Sequence, residues 1–376
     1  MINDIMPFYF PSEKLIVKSD DCYLYDSDGK RYIDFESGVW CANIGHSNSR
    51  IVDLLGAQAR RVMHHGYWFR NQYAEELSVK IQELTGLENG ASVFLSSGSE
   101  AVNLSIVLAK YITGRKKVLK IDNSYLSAYG YGQISESNVD LISVKFNDLN
   151  AVDDIDFSEI AAFVVETGGA SIDMVRFPDK DFITKLIEKA LKNECLIIAE
   201  EVTTGIGRTG KWFGFLHYGF TPDIVVTGKA LGNGFPISAV TVNSKIKDRF
   251  EKAPFRYAQS HQNDPLGCVI GLEVIKVIQE NDLIEKSLMM GDLFKNSLEF
   301  LMEKHRDKVK EVRSRGLMLA IEFNNSYNGE ELCRRLFESG FVFGFKSNTF
   351  RFLPPLTIQR HDIDSLIGKM DELLIK

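Results

Sequence analysis

The sequence predicts an α/β protein: a mostly parallel sheet flanked by helices, with a smaller α+β unit built from both ends of the chain. Three observations carry that expectation. Between Ser92 and Val242, short β-branched apolar runs alternate with longer amphipathic or turn-rich segments, the pattern of a parallel sheet covered on both faces. The 376 residues exceed what one hydrophobic core usually fills, so two unequal units are expected. A composition of 44% hydrophobic and 25% charged residues belongs to a packed globular chain and argues against a disordered one.

Taken in order, the aromatic run Tyr23-Leu24-Tyr25 closes on Asp26-Ser27-Asp28-Gly29, which reads as a small antiparallel meander with an Asp-rich turn. The strands expected next are Ser92–Leu95, Lys117–Ile121, Leu141–Val144, Ala162–Val165, Leu196–Ala199, Asp223–Val226 and Ser238–Val242. Between two of them, Phe182, Ile183, Leu186, Ile187, Ala190 and Leu191 fall at helical spacing, so a crossover helix over 181–193 precedes the strand Leu196–Ala199. The last third changes to long amphipathic helices, 265–280 and 282–304. A strand over 317–323, a helix over 330–339, a strand through Arg351-Phe352 and a helix from Asp362 follow. The division expected is 1–45 and 265–376 as the two parts of the small unit, with 46–264 as the large one.

A net charge of -7 provides no basic field for nucleic acid or anionic membranes. No run of about 18 apolar residues occurs, and MINDIMPFYFPSEK lacks the basic and apolar regions of an export signal, so the cytoplasm is the expected location. The five cysteines are scattered without a C-x-x-C pair, and the seven histidines form no H-x-x-x-H pattern. Neither a disulfide framework nor a metal is predicted.

Three stretches leave the expected sheet where parallel sheets bind ligands, at the carboxyl ends of strands. Ser96-Ser97-Gly98-Ser99 opens a helix, and helix starts present N–H groups to anions; a serine there is as often a helix cap. Glu200-Glu201 ends the strand Leu196–Ala199, where a carboxylate can keep a ring nitrogen protonated or simply be solvated. Lys229 follows the strand Ile224–Val226 and precedes the turn Gly232-Asn233-Gly234. A solvated lysine is the commoner case, whereas a desolvated one has the lowered pKa that imine formation needs.

Glu201-Val202-Thr203-Thr204-Gly205-Ile206-Gly207-Arg208-Thr209-Gly210, then Pro222-Asp223-Ile224 and Lys229-Ala230-Leu231-Gly232-Asn233-Gly234-Phe235-Pro236, resemble the central signature of the class III, fold-type I pyridoxal-phosphate aminotransferases, and the likeness runs over nearly the whole chain. It implies that Lys229 holds pyridoxal 5'-phosphate as a Schiff base and moves the proton. It further implies that Ser97, Gly98 and Ser99 bind the phosphate, Glu200 pairs with the ring nitrogen, Val202 and Tyr125 hold the two ring faces, and Glu166 lies beside them. Ser260 matches the residue that reaches the neighbouring subunit's phosphate, which implies a homodimer with shared active sites. Gly38-Val39-Trp40-Cys41 is similar to the ω-amino-acid branch, and Arg351-Phe352-Leu353-Pro354-Pro355 to the C-terminal signature. Arg351 thereby becomes the candidate grip for a substrate carboxylate, with Trp40 lining the pocket and Tyr67 and Trp68 as possible further aromatics. The implied reaction passes an amino group from an amino acid or ω-amino acid to a 2-keto acid by a ping-pong route.

Several positions depart from that pattern. Glu200 stands where the family has aspartate, reaching about 1.5 Å further, and a displacement of about 1 Å costs on the order of a hundredfold in rate. Thr203 replaces a glutamine and Leu126-Ser127 a His-Gly pair. Ala128 replaces the arginine of acetylornithine-type members, which disfavours acetylornithine. Ser171 replaces the glutamate that gates the C-terminal arginine, so Arg351 is expected to be free for carboxylates in both half-reactions. The same fold hosts epimerases, racemases and aminomutases, which leaves those reactions open. Gly205-Ile206-Gly207-Arg208-Thr209-Gly210 also matches the dinucleotide fingerprint of a dehydrogenase. The aromatic, glycine-containing segment 211–219 stands where that fingerprint demands a helix, and Asp223 precedes its strand instead of ending it.

Overall fold

The computed structural model describes residue 6 and residues 12–132, 140–169 and 175–375. In chain order the strands are β1 (Ile16–Asp20), β2 (Tyr23–Asp26), β3 (Arg31–Asp34), β4 (Ala91–Leu95), β5 (Lys117–Ile121), β6 (Leu141–Val144), β7 (Ile160–Glu166), β8 (Leu196–Glu200), β9 (Ile224–Thr227) and β10 (Ser238–Val242). After them come β11 (Val309–Arg315), β12 (Met318–Phe323), β13 (Phe341–Val342), β14 (Gly344–Lys346) and β15 (Thr349–Phe352). Each expected element is present, its ends within two residues of the expectation.

The meander forms because Asp26 organises its own turn. Asp26 Oδ1 accepts from the N–H groups of Asp28 and Lys30 at 3.0 and 2.9 Å, and Gly29 takes the left-handed φ of 82° that closes it. β13, from the far end of the chain, adds parallel to β3, so β1-β2-β3-β13 is one sheet drawn from both chain ends. A second small sheet, β11-β12-β15-β14, is antiparallel throughout.

The main sheet has the order β4-β10-β9-β8-β7-β5-β6. All its strands run parallel except β10, which is antiparallel to both neighbours. The reason is chain length. Between Thr227 and Ser238 only the ten residues 228–237 intervene, holding one short 3₁₀ turn, too little for the crossover that a parallel return requires. Every residue of β7 is buried, as expected of a central strand with helices on both faces. The helix Lys180–Lys192 buries Phe182, Ile183, Leu186, Ile187 and Ala190, the face that their spacing assigned except for Leu191, which is exposed.

Candidate active site

Because β4, β5, β7, β8 and β9 share one direction, their carboxyl ends open onto one edge of the sheet. Glu166 and Glu200 end adjacent strands and are register partners; Glu200 in turn faces Val226, three residues before Lys229. The helix Gly98–Thr113 begins at the same edge after β4. Topology thus gathers the acid pair, the lysine and the helix start.

Lys229 has a left-handed φ of 42°, a conformation that costs a non-glycine residue about 1–3 kcal/mol and concentrates at functional sites. Its Nζ donates to Thr203 Oγ1 at 3.1 Å and lies 4.2 Å from the centre of the Trp40 ring. Burial holds its ammonium below the ordinary lysine value; the carboxylates of Glu200 and Glu166 oppose that shift and the Arg351 charge adds to it. Glu200 Oε1 accepts from the Val202 N–H at 3.0 Å, while its Oε2 is buried and has no partner among the described residues. Burial raises its carboxyl above the usual range against the pull of Lys229. Val202 packs so tightly on Gly98 that a Cβ there would lie 2.8 Å from Val202 Cγ1, which explains why glycine occupies that place.

Trp40 reaches this lysine through an unusual turn. Ser37, Gly38, Val39 and Trp40 all have positive φ, of 45°, 59°, 59° and 69°, a left-handed turn in which only Gly38 is at ease. Asp34 secures it by accepting from the N–H groups of Glu36 and Gly38, both at 2.8 Å. Arg351 lies over the same indole, 4.5 Å from the ring centre. Sequence reasoning missed Glu36: its Oε1 accepts from Arg351 Nε at 2.8 Å and from Trp40 Nε1 at 3.0 Å. The expectation of an unengaged Arg351 is therefore corrected, because a carboxylate from the N-terminal segment pairs with it. Ser171, on which that expectation rested, lies outside the described residues.

The other expected residues divide into two groups. Ser97 is a helix cap: its Oγ accepts from Glu100 N at 3.3 Å while Glu100 Oε2 accepts from Ser97 N at 2.8 Å, a complete capping box. Ser99 Oγ accepts from the Ala128 N–H at 2.9 Å, and Glu166 Oε2 from the Tyr125 N–H at 3.2 Å, which ties the segment 125–128 to the site. Tyr125, 36% exposed, and Ser260 lie at the surface. Tyr67 and Trp68 stack on each other and are exposed. An apolar cavity of about 480 Å³ lined by Leu104, Leu108, Val240, Phe250 and Phe255 holds none of these groups, so size alone does not mark the site.

The glycine-rich match is structural. Residues 201–213 form turns with no helix, and Ile206, Gly207 and Gly210 have positive φ. Arg208 within it is fully buried; its guanidinium donates to the carbonyls of Leu317 and Pro354, to Ser37 Oγ and to Asn43 Oδ1. Burial pushes it down to about 9. Asp223 accepts from Ile197 N and Asn243 Nδ2, both at 2.9 Å. Glu201 accepts from Thr204 Oγ1, Gly214 N and Phe215 N at 2.6–2.8 Å. These bonds leave no dinucleotide cradle.

The arrangement is fold-type I, with acid, lysine and helix start at one sheet edge and Trp40, Glu36 and Arg351 brought to the lysine's side from the chain ends. The chain belongs to the aminotransferase class-III family, whose model matches residues 9–132 and 127–374, and is a transaminase. It is 31% identical over 381 residues to an acetylornithine aminotransferase of Methanocaldococcus jannaschii, covering 96% of this chain and 93% of that one. It is 29% identical to a [LysW]-aminoadipate semialdehyde/glutamate semialdehyde transaminase of Sulfurisphaera tokodaii, over 93% and 92% of the two chains. The crystal structure of acetylornithine aminotransferase from Elizabethkingia anophelis superposes with a TM-score of 0.87 at 29% identity, covering 98% of this chain and 95% of that one.

Proposed function

We propose that this chain uses pyridoxal 5'-phosphate, held by Lys229, to move an amino group from an amino acid or ω-amino acid to a 2-keto acid, and that it does so in the cytoplasm as a homodimer with shared sites. The observation that carries the reading is the pair formed by a buried lysine with a lowered ammonium pKa and a buried acid whose Oε2 lacks a partner among the described residues. The residues fit the cofactor. An orphaned carboxylate oxygen suits a protonated ring nitrogen, the Val202–Gly98 contact forms a flat wall, and the start of the helix Gly98–Thr113 suits a phosphate. Glu200 keeps the charge of the family's aspartate, and with Oε1 anchored on Val202 N its Oε2 remains for the ring nitrogen.

Bound pyridoxal phosphate supplies an aldehyde carbon that condenses with amines and a ring that takes up the electron pair left on the substrate α-carbon. The chain's own residues do the rest. Lys229, whose ammonium form burial disfavours, would take the proton from the substrate α-carbon and deliver it to the C4' carbon of the bound cofactor. Thr203 holds the Lys229 amine when it is not engaged, and Glu200 keeps a positive charge at the ring nitrogen. Ser97 contributes by fixing the helix start, and Gly98 and Ser99 by the N–H groups that no helical carbonyl can satisfy. Trp40 walls the pocket, and a substrate carboxylate reaches Arg351 in competition with Glu36.

With Ala128 holding Ser99 through its N–H, no arginine clamp stands at that position, so we infer substrates gripped through the single carboxylate site at Arg351, despite the acetylornithine enzymes among the relatives. We infer that Tyr125 completes the ring wall and that Ser260 reaches the partner's phosphate; both are exposed in the chain. In keeping with the mixed chain-end sheet, we assign 1–45 and 265–376 to a small unit and 46–264 to a large one. The test is borohydride reduction of the purified protein followed by peptide mapping. The expected tag is on Lys229, with stoichiometric conversion to the amine form of the cofactor by amino donors. A tag on another lysine, or no chromophore, refutes the reading.

A further inference from the structure

On the turn that follows Ser260, His261 and Asp264 meet His64, which lies about 200 positions earlier in the chain. His64 Nδ1 lies 2.6 Å from Asp264 Oδ1, and His261 Nδ1 lies 2.5 Å from Asp264 Oδ2. The two imidazoles are 4.8 Å apart between ring centres. One ligand atom from each of the three residues lies within 4.8 Å of the others.

We propose that His64, His261 and Asp264 form a binding site for a zinc-like divalent cation, with water completing the coordination. Two imidazoles and one carboxylate are the donor set of open zinc sites and suit the later first-row cations, whereas magnesium and calcium prefer oxygen alone. The spacing is close to what such an ion needs. Bonds of about 2.0–2.1 Å set tetrahedral ligand atoms roughly 3.4 Å apart, so the two histidine–aspartate contacts have to open by less than about 1 Å and ligand atoms now spread over as much as 4.8 Å have to draw together.

Two features of the frame support a ligand role over a chance surface contact. First, Asp264 is the N-cap residue of the helix Pro265–Glu280 yet makes no side-chain cap hydrogen bond; both its oxygens turn to imidazoles, although capping is the ordinary use of aspartate there. Second, the turn that carries His261 and Asp264 is pinned at Asn263. Asn263 has φ 57°, its N–H donates to Phe94 O at 2.9 Å, its Oδ1 accepts from Phe94 N at 2.8 Å, and its carbonyl accepts from Asn71 Nδ2 at 2.7 Å. Two of the three ligands are thus preorganised on the edge strand β4. Side-chain exposure of 43% for His64 and 60% for His261 against 18% for Asp264 leaves room for water. The positive end of the helix works against a cation, which places the expected affinity in the micromolar range and not tighter.

The experiment is a titration of the full chain, free of any affinity tag, with Co²⁺, followed by its visible absorption and by isothermal titration calorimetry. One equivalent per chain is expected to bind with a histidine-type spectrum and to be displaced by Zn²⁺. In His64→Ala, His261→Ala and Asp264→Asn, each checked by circular dichroism, the affinity is expected to fall at least tenfold while borohydride tagging of Lys229 is unchanged. Absence of saturable Co²⁺ binding, or binding that all three substitutions leave intact, overturns the proposal.

Discussion

Replacing Glu36 with glutamine isolates the charge at the distal end of the pocket. Glu36 Oε1 accepts from Arg351 Nε at 2.8 Å and from Trp40 Nε1 at 3.0 Å, and a glutamine carbonyl oxygen can accept both. What disappears is the negative charge, so that end of the pocket goes from neutral to one positive charge. The two side chains are 13% and 17% exposed, an environment in which two unit charges 4 Å apart interact by about 4 kcal/mol at an effective dielectric of about 20. Water and side-chain relaxation leave roughly half of that for an incoming carboxylate, about 1.5–3 kcal/mol, or a ten- to hundredfold gain in affinity. The assay is the half-reaction, read as bleaching of the cofactor absorbance against donor concentration. Glu36→Gln is expected to lower the half-saturating concentration of carboxylate-bearing donors by that factor and to leave a simple primary amine unaffected. Unchanged affinity for the acids, or an equal gain for the plain amine, refutes the idea that Glu36 competes for Arg351.

Two further outcomes follow from buried charges. Arg208→Lys removes a fork that serves four acceptors from both chain ends, and an ammonium cannot reach them together; stability measured by urea unfolding is expected to drop by about 3 kcal/mol or more, and a loss under about 0.5 kcal/mol contradicts the role. Burial raises Glu201 from an ordinary 4.5 to about 7. The folded state therefore binds the proton more tightly than the unfolded one, and the resulting stability, about 3 kcal/mol, is present below pH 4.5 and lost as pH rises through 7. Denaturation of the cofactor-free protein between pH 5 and 8 is expected to show that decline, and Glu201→Gln to flatten it; identical slopes in both proteins count against it.

The parts of the site legible in the sequence are those that local chemistry sets. Glu200 and Glu166 each close a strand and Lys229 follows one by two residues; parallel strands deliver their carboxyl ends to one edge, so knowing the strands is enough to expect convergence. Ser97 remained undecided between cap and ligand until the capping box was visible. Glu36 was illegible because its partner lies 315 positions away, and an acidic residue between Phe35 and Ser37 carries no mark of that. His64 and Asp264, 200 positions apart, escaped for the same reason: metal-ligand spacing rules see only pairs on one element. The antiparallel course of β10 was readable in principle from the ten-residue connection before it, whereas three of the four left-handed residues of the Ser37–Trp40 turn carry side chains that give no local signal for it.

That turn explains why the pocket depends on a residue in a loop that mimics a nucleotide-binding motif. Holding Ser37, Val39 and Trp40 at positive φ costs about 1–2 kcal/mol each, and local backbone bonds such as Cys41 N to Ser37 O at 3.0 Å offset only part of it. The compensation comes from outside: Asp34 takes two of its N–H groups, Ser37 Oγ donates to Leu353 O at 2.7 Å, and Arg208 binds that same hydroxyl together with Asn43, Leu317 and Pro354. Arg208 therefore joins the strand-edge loop that follows Glu200 to the two chain-end segments that bring Trp40 and Arg351 over Lys229. Trp40, against which Lys229 and Arg351 both lie, is thus held by a turn whose outside support includes one buried guanidinium.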